Sequence, residues 1–163
     1  MDTKTAIKIG IDTGNMISTA YLGDLTDDEM MHRPHADCNH IKWQMGHLIH
    51  SEHSMIDSLS PGCMPALPEG FADKYTKETA TSDDPAAFDS KEELMRLYEQ
   101  QRAGTLAALE QTDAADLSNE SPESIRSFVP TVGAVFCMQG GHWLMHAGQW
   151  AVIRRQLGRA PLF

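Results

Sequence analysis

The residues most able to do chemistry in this 163-residue chain are its histidines, eight in all. His142 and His146 stand four positions apart in a segment patterned as a helix. Residues at i and i+4 neighbour each other on a helix surface, about 5–6 Å apart at Cβ. Two imidazoles so placed can converge on one ion with nitrogens about 2.0–2.1 Å from it. Neutral imidazole suits zinc, nickel, iron and copper. At 100° per residue the two share a stripe with Val132, Val135, Gln139, Trp143, Trp150, Ile153 and Leu157, which should face the core. A generic HxxxH pair has a plainer explanation, two buried histidines each hydrogen-bonded to a neighbour. Here the pair shares its side with Gln139 and Gln149 and lacks a nearby carboxylate partner.

A third ligand must come from another element. His47, His50 and His53 lie on an upstream helical segment, and His32, His35 and His40 precede it. That segment's apolar stripe is Ile41, Met45, Leu48, Met55, Ile56 and Leu59, with Glu52 in its middle. His47 falls on a second face with Trp43, His50 and Ser54, so periodicity alone leaves it a solvated residue or a ligand. His53 is expected to be exposed. His32, His35, Cys38 and His40 match no zinc spacing. Glu52, His50 and Gln149 are candidates for supporting or acid–base roles, with an ion pair or a dimer contact as the plainer reading of Glu52.

Four helical segments must position these residues, near 3–22, 39–59, 91–111 and 132–157, and no strand stands out. Gly10 and Gly14 weaken the first. Thr26 to Glu29 and Ser90 to Glu93 have capping-box spacing. Ser60-Pro61-Gly62 stops the second helix, and Gly158 ends the fourth. Residues 60–90 are rich in Pro, Gly, Asp and Thr; so long an irregular stretch is a candidate lid or binding loop. The expectation is an all-α four-helix bundle forming one domain over 1–163.

Composition narrows the partners. Hydrophobic residues make 41% and charged residues 22%, a globular balance. A net charge of −10 without a basic stripe argues against nucleic acid and anionic membranes, which are bound through Lys and Arg. No apolar run approaches a bilayer span and no signal-type segment opens the chain, so a cytoplasmic location is expected. Three cysteines without a CxxC pair do not read as a disulfide framework, and Cys137, in an apolar segment, is expected in the core.

Leu25-Thr-Asp-Asp-Glu-Met30, Arg33-Pro34 and Ile41-Lys-Trp-Gln-Met-Gly-His-Leu48 resemble the first half of DinB/YfiT-like proteins. His142-Trp-Leu-Met-His146-Ala-Gly-Gln149, Ile153-Arg154-Arg155 and Leu157-Gly158 resemble their last helix. The resemblance implies a four-helix bundle with a three-histidine metal site, here His47, His142 and His146, and so favours His47 over His50. It further implies one divalent ion (zinc, nickel or iron) and a homodimer. Three protein ligands leave a coordination position open, as in catalytic sites. Characterised relatives include thiol S-transferases and a thiol-dependent isomerase. The resemblance therefore suggests a metal-dependent hydrolase or a thiol S-transferase acting on a small molecule, with a low-molecular-weight thiol as a partner. The alternative is a non-catalytic metal-binding or sensing bundle.

Overall fold

Helix α1 spans Thr3–Gly23, α2 Ile41–Asp57, α3 Lys91–Gln111, α4 Glu123–Arg126 and α5 Val132–Gln156 in the computed structural model, which describes residues 1–163. The four long helices are those expected from the hydrophobic period, and the fold is all-α. The one-turn α4, too short to carry a period, was not expected. None of the helices is long and apolar enough to cross a membrane.

The caps set where the helices begin. Asp2, His40, Ser90 and Thr131 each accept a backbone N–H of the first turn of α1, α2, α3 and α5, meeting donors the helix cannot satisfy itself. Thr26 and Glu29 form the reciprocal box in full, the Glu29 carboxylate accepting from Thr26 N–H (2.7 Å) and Thr26 Oγ1 accepting from Glu29 N–H (3.2 Å). That box opens only a 3-10 turn, Glu29–Met31.

Contacts at the helix ends give the topology. Lys91 at the start of α3 donates to Gly23 O and Leu25 O at the end of α1. Lys4 at the start of α1 donates to Glu110 O at the end of α3. Arg154 at the end of α5 donates to Tyr21 O and pairs with Asp24 at the end of α1. Helices α1 and α5 therefore run one way, and α2 and α3 run the other. Two consecutive parallel helices need a return path along the bundle, about 25–30 Å for helices of 17 and 21 residues. Residues 58–90 are that path, which accounts for their length.

This crossover is packed down. Phe71, Tyr75 and Phe88 are buried in the larger core cluster. The Tyr75 ring lies so close over Gly46 that a Cβ there would stand 2.2 Å from it. Trp43 Nε1 donates to Thr76 O (3.1 Å) and Thr79 Oγ1 (3.2 Å). The chain's own crossover thus covers part of the second face of α2, at Trp43, while Ser54 stays exposed.

The closest helix approach is between α1 and α5. A Cβ on Gly140 would stand 2.6 Å from Gly10 O, and one on Gly14 would stand 2.8 Å from Gly140 O. Glycines that lower helix propensity here let two backbones touch. The α5 stripe is buried at Val135, Gln139, Trp143, His146, Trp150 and Ile153, and α5 also buries Phe136, Gly140, Ala147 and Arg154. Cys137 corrects an expectation: it is exposed, because α5 carries apolar residues all round and apolar neighbours do not mark its buried side.

Gly140→Ala should lower stability by about 1–3 kcal/mol through overpacking. A Cβ on Gly10 meets nothing within 4 Å, so Gly10→Ala should raise stability by about 0.5–1 kcal/mol. Urea titration of both variants checks this; equal effects of one sign would show that the glycine contact is not tight.

Candidate metal centre

Each histidine of the group is set by its helix. His47 lies on α2, where its ring stacks on Trp43 one turn earlier, centroids 5.2 Å apart and planes 6° from parallel. Trp43 is itself held by the crossover, so the bonds to Thr76 and Thr79 also orient His47. His142 and His146 lie one turn apart on α5, with ring centroids 5.1 Å apart. His47 stands 5.4 Å from His142 and 5.9 Å from His146 between centroids. One nitrogen from each ring can be chosen so that all three lie within 4.8 Å of one another. His146 is buried, while His47 and His142 are half-buried.

Gln44 determines which nitrogen of His146 is free. Its Nε2 donates to Asn39 O (2.6 Å) and to the exposed Gln149 Oε1 (3.2 Å). Its Oε1 accepts from Trp150 Nε1 at 2.8 Å. An indole N–H only donates, so the oxygen must face Trp150. That same oxygen lies 2.9 Å from His146 Nδ1, which must then carry the hydrogen. The lone pair of His146 is left on Nε2. A carbonyl holding the far nitrogen of a ligand imidazole is the usual support of a metal-binding histidine.

Electrostatics keep the group neutral. Burial, followed by the mutual repulsion of the rings, lowers the pKa of His142 and of His146 to about 4. Burial and then nearby His50 lower that of His47. Metal ligation needs unprotonated imidazole. Nitrogens about 2.0–2.1 Å from one ion stand about 3.3 Å apart in a tetrahedral site, within reach of small side-chain rotations from the present spacing. The residues fit a metal ion.

The other candidates lie elsewhere. Glu52 is buried on the core side of α2, where its carboxylate accepts from Thr105 Oγ1 (2.7 Å) and Trp143 Nε1 (3.0 Å) and pairs with Arg102 at 3.0 Å. Burial pushes its carboxyl pKa up while these three partners oppose the shift. The ion-pair reading of Glu52 holds. His50 is half-buried beside His47, and its Nδ1 has no partner. His53 corrects an expectation: it is half-buried, with Nδ1 3.1 Å from Gln101 Oε1, because the segment after α2 folds back along that side. His32 bonds Gln156, His35 stands beside Asp37, and His40 caps α2; with Cys38 they make no metal group. No sequence pattern marks Gln44, although its bond to α5 is what orients His146. None of the five main clefts is lined by His47, His142 or His146; the group lies between α2 and α5.

These features define a class, the all-α four-helix bundle whose second and last long helices bring together three histidines able to hold a metal ion. The chain belongs to the DinB superfamily, whose family model matches residues 11–150. Comparison with curated proteins and with solved structures finds no match.

His40 makes a separate pH test. Trp43 N–H donates to its Nδ1 at 3.1 Å. Its ring is fully buried against Phe88, at 4.7 Å between centroids. Burial, then the charge of Arg33, lowers its pKa to about 4. The folded protein therefore keeps it neutral, whereas the unfolded chain protonates it below about pH 6.5. Its contribution to stability is complete above that pH and is lost as pH falls from 6.5 toward 4. His40→Asn keeps a cap acceptor and removes the titration. Relative to its own value at about pH 8, the urea midpoint of the variant should fall less than the wild-type midpoint between about pH 6.5 and 4.5. Parallel curves would exclude His40 as a source of the acid sensitivity.

Proposed function

We propose that the chain binds one divalent ion (zinc, nickel or iron) through His47, His142 and His146 and acts on a small molecule at the position these ligands leave open. The observation that carries this is the convergence of three neutral imidazoles to within 4.8 Å, one of them with its outward nitrogen set by Gln44. The group has three protein donors, and structural zinc usually takes four. An ion held there would supply Lewis acidity, lowering the pKa of a water or of a low-molecular-weight thiol, the reagents of a hydrolase or a thiol S-transferase. The chain's own part is to keep the three rings unprotonated and to hold His146 with Nε2 forward. Glu52, whose oxygens are taken by Arg102, Thr105 and Trp143, is a support of the core in this reading.

A non-catalytic reading has its own support. The most extensive helix contacts join α1 to α5 and α2 to α3, with fewer between α2 and α5. An ion bridging α2 and α5 would fasten the two pairs together, adding its binding energy to folding.

Purified without a histidine tag, the protein should carry about one equivalent of metal, and His146→Ala should lose most of it while keeping its helices. Gln44→Leu should weaken affinity about 10–100-fold through loss of the bond to His146. His53→Ala should keep the metal. Stoichiometric metal in His146→Ala, read by elemental analysis, would sink the assignment.

A homodimer is the second part of this proposal, with the outer side of the α1–α5 pair as its surface. The crossover already covers part of the second face of α2, at Trp43. The outer side of the α1–α5 pair, by contrast, exposes Ile9, Met16, Met145 and Val152. No charged residue occurs in α5 from Val132 to Ile153, and on α1 the exposed Asp12 between Ile9 and Met16 is paired with Lys8. Light scattering should give twice the 18.0 kDa of one chain. A Cβ on Gly148 meets nothing within 4 Å in the protomer, so Gly148→Glu should yield a folded monomer. A wild-type mass of 18.0 kDa would end the proposal.

A further inference from the structure

Beside α2, a cleft of 480 Å³ opens against residues 62–73, with no residue of α5 in its lining. Met64, Leu67 and Phe71 supply apolar wall, and the ionisable side chains at its edge are His50, His53, Asp57 and Asp73. No lysine or arginine lines it. An apolar pocket with a few convergent polar groups is the usual form of a small-molecule site.

Three of the polar groups, His53, Asp57 and Asp73, present unused acceptors. Gln101 Nε2 donates to Pro65 O at 2.8 Å, so Gln101 Oε1 faces His53 and Nδ1 of His53 carries the hydrogen. Neutral His53 therefore has an acceptor, Nε2, left over. Asp57 Oδ1 accepts from Gly62 N–H (2.8 Å) and Met64 N–H (3.4 Å), which leaves Oδ2 without a partner. Asp73 is exposed and takes part in no ion pair. His50 Nδ1 is buried with no hydrogen-bond partner. A ligand that complements acceptors must donate, and beside two carboxylates it gains from a positive charge.

We propose that this cleft binds a small organic cation, a protonated amine on an apolar body, with the ammonium among His53, Asp57 and Asp73 and the body against Leu67 and Phe71. His50 stands three positions from His47 on α2, neighbours on the helix surface, so the cleft adjoins the three-histidine group. That the amine belongs to the molecule acted on there rests on the metal reading above; the cleft's affinity for it does not.

Phenethylamine and phenylpropionate share an aromatic body and differ in the sign of their charge. At about pH 8 the first is a cation and the second an anion. Calorimetric titration of metal-free and zinc-loaded protein should show saturable, zinc-independent binding of phenethylamine and none of phenylpropionate. Asp73→Asn, an exposed change, should weaken the amine about three- to fivefold. His142→Ala should leave amine binding unchanged even where it abolishes zinc binding, which keeps the two readings separable. Comparable binding of phenylpropionate would overturn the proposal. So would an amine affinity indifferent to Asp73→Asn, amine binding only with zinc present, or no saturation by about 20 mM.

Discussion

The seam between α2 and α5 depends on one side-chain oxygen. Gln44 Oε1 accepts from an indole on α5 and from an imidazole one turn earlier on the same helix, while its nitrogen reaches back to Asn39 at the head of α2. The amide is held at both ends, so it cannot be reversed without placing N–H against N–H. Buried amides are costly to leave unpaired, so this one bridge fixes the register of α2 against α5 and the tautomer of His146 together. Replacing it by an apolar residue of like size would leave two donors on α5 without an acceptor.

Deeper along the same helix pair lies a second polar layer. Glu52 on α2 meets Arg102 and Thr105 on α3 and Trp143 on α5. Gln139, also on α5, accepts from Arg102 through its backbone oxygen. Such a pair adds little net stability over apolar packing, but removing one member costs about 3–5 kcal/mol because the other charge is left buried. Three helices are thereby matched by side-chain identity as well as by shape.

The helices were legible because apolar residues recur with period 3.6, and the metal group was half legible for the same reason: His142 and His146 interrupt an apolar stripe where burial has to be explained. His47 was not legible from periodicity. It sits on a face that reads as solvent-exposed, and that face is partly covered by Trp43 and a crossover too irregular to be placed in advance. The resemblance to the family singled it out. Gln44 was missed because its partners are about a hundred residues downstream, and local pattern carries no such pairing. Of the two glycines that weaken α1 as an isolated helix, Gly14 is required by the approach of α5, whereas Gly10 remains a weakness. Cys137 was misplaced because apolar character around the whole of α5 removes the contrast on which burial is judged.

The glycine contact between α1 and α5 also bears on how the chain comes to be folded. It joins the first helix to the last, so the tightest packing in the bundle forms across nearly the full length of the sequence. Closing so large a loop is entropically unfavourable until its contacts are made, and helical folds with such distant pairings fold more slowly than those built from neighbouring helices. During synthesis α1 is complete early yet has no backbone partner until α5 leaves the ribosome. The parallel pair α2 and α3 can dock first, with the crossover laid over Gly46. Until α5 emerges, the exposed inner side of α1 is the segment most open to chaperones or to aggregation.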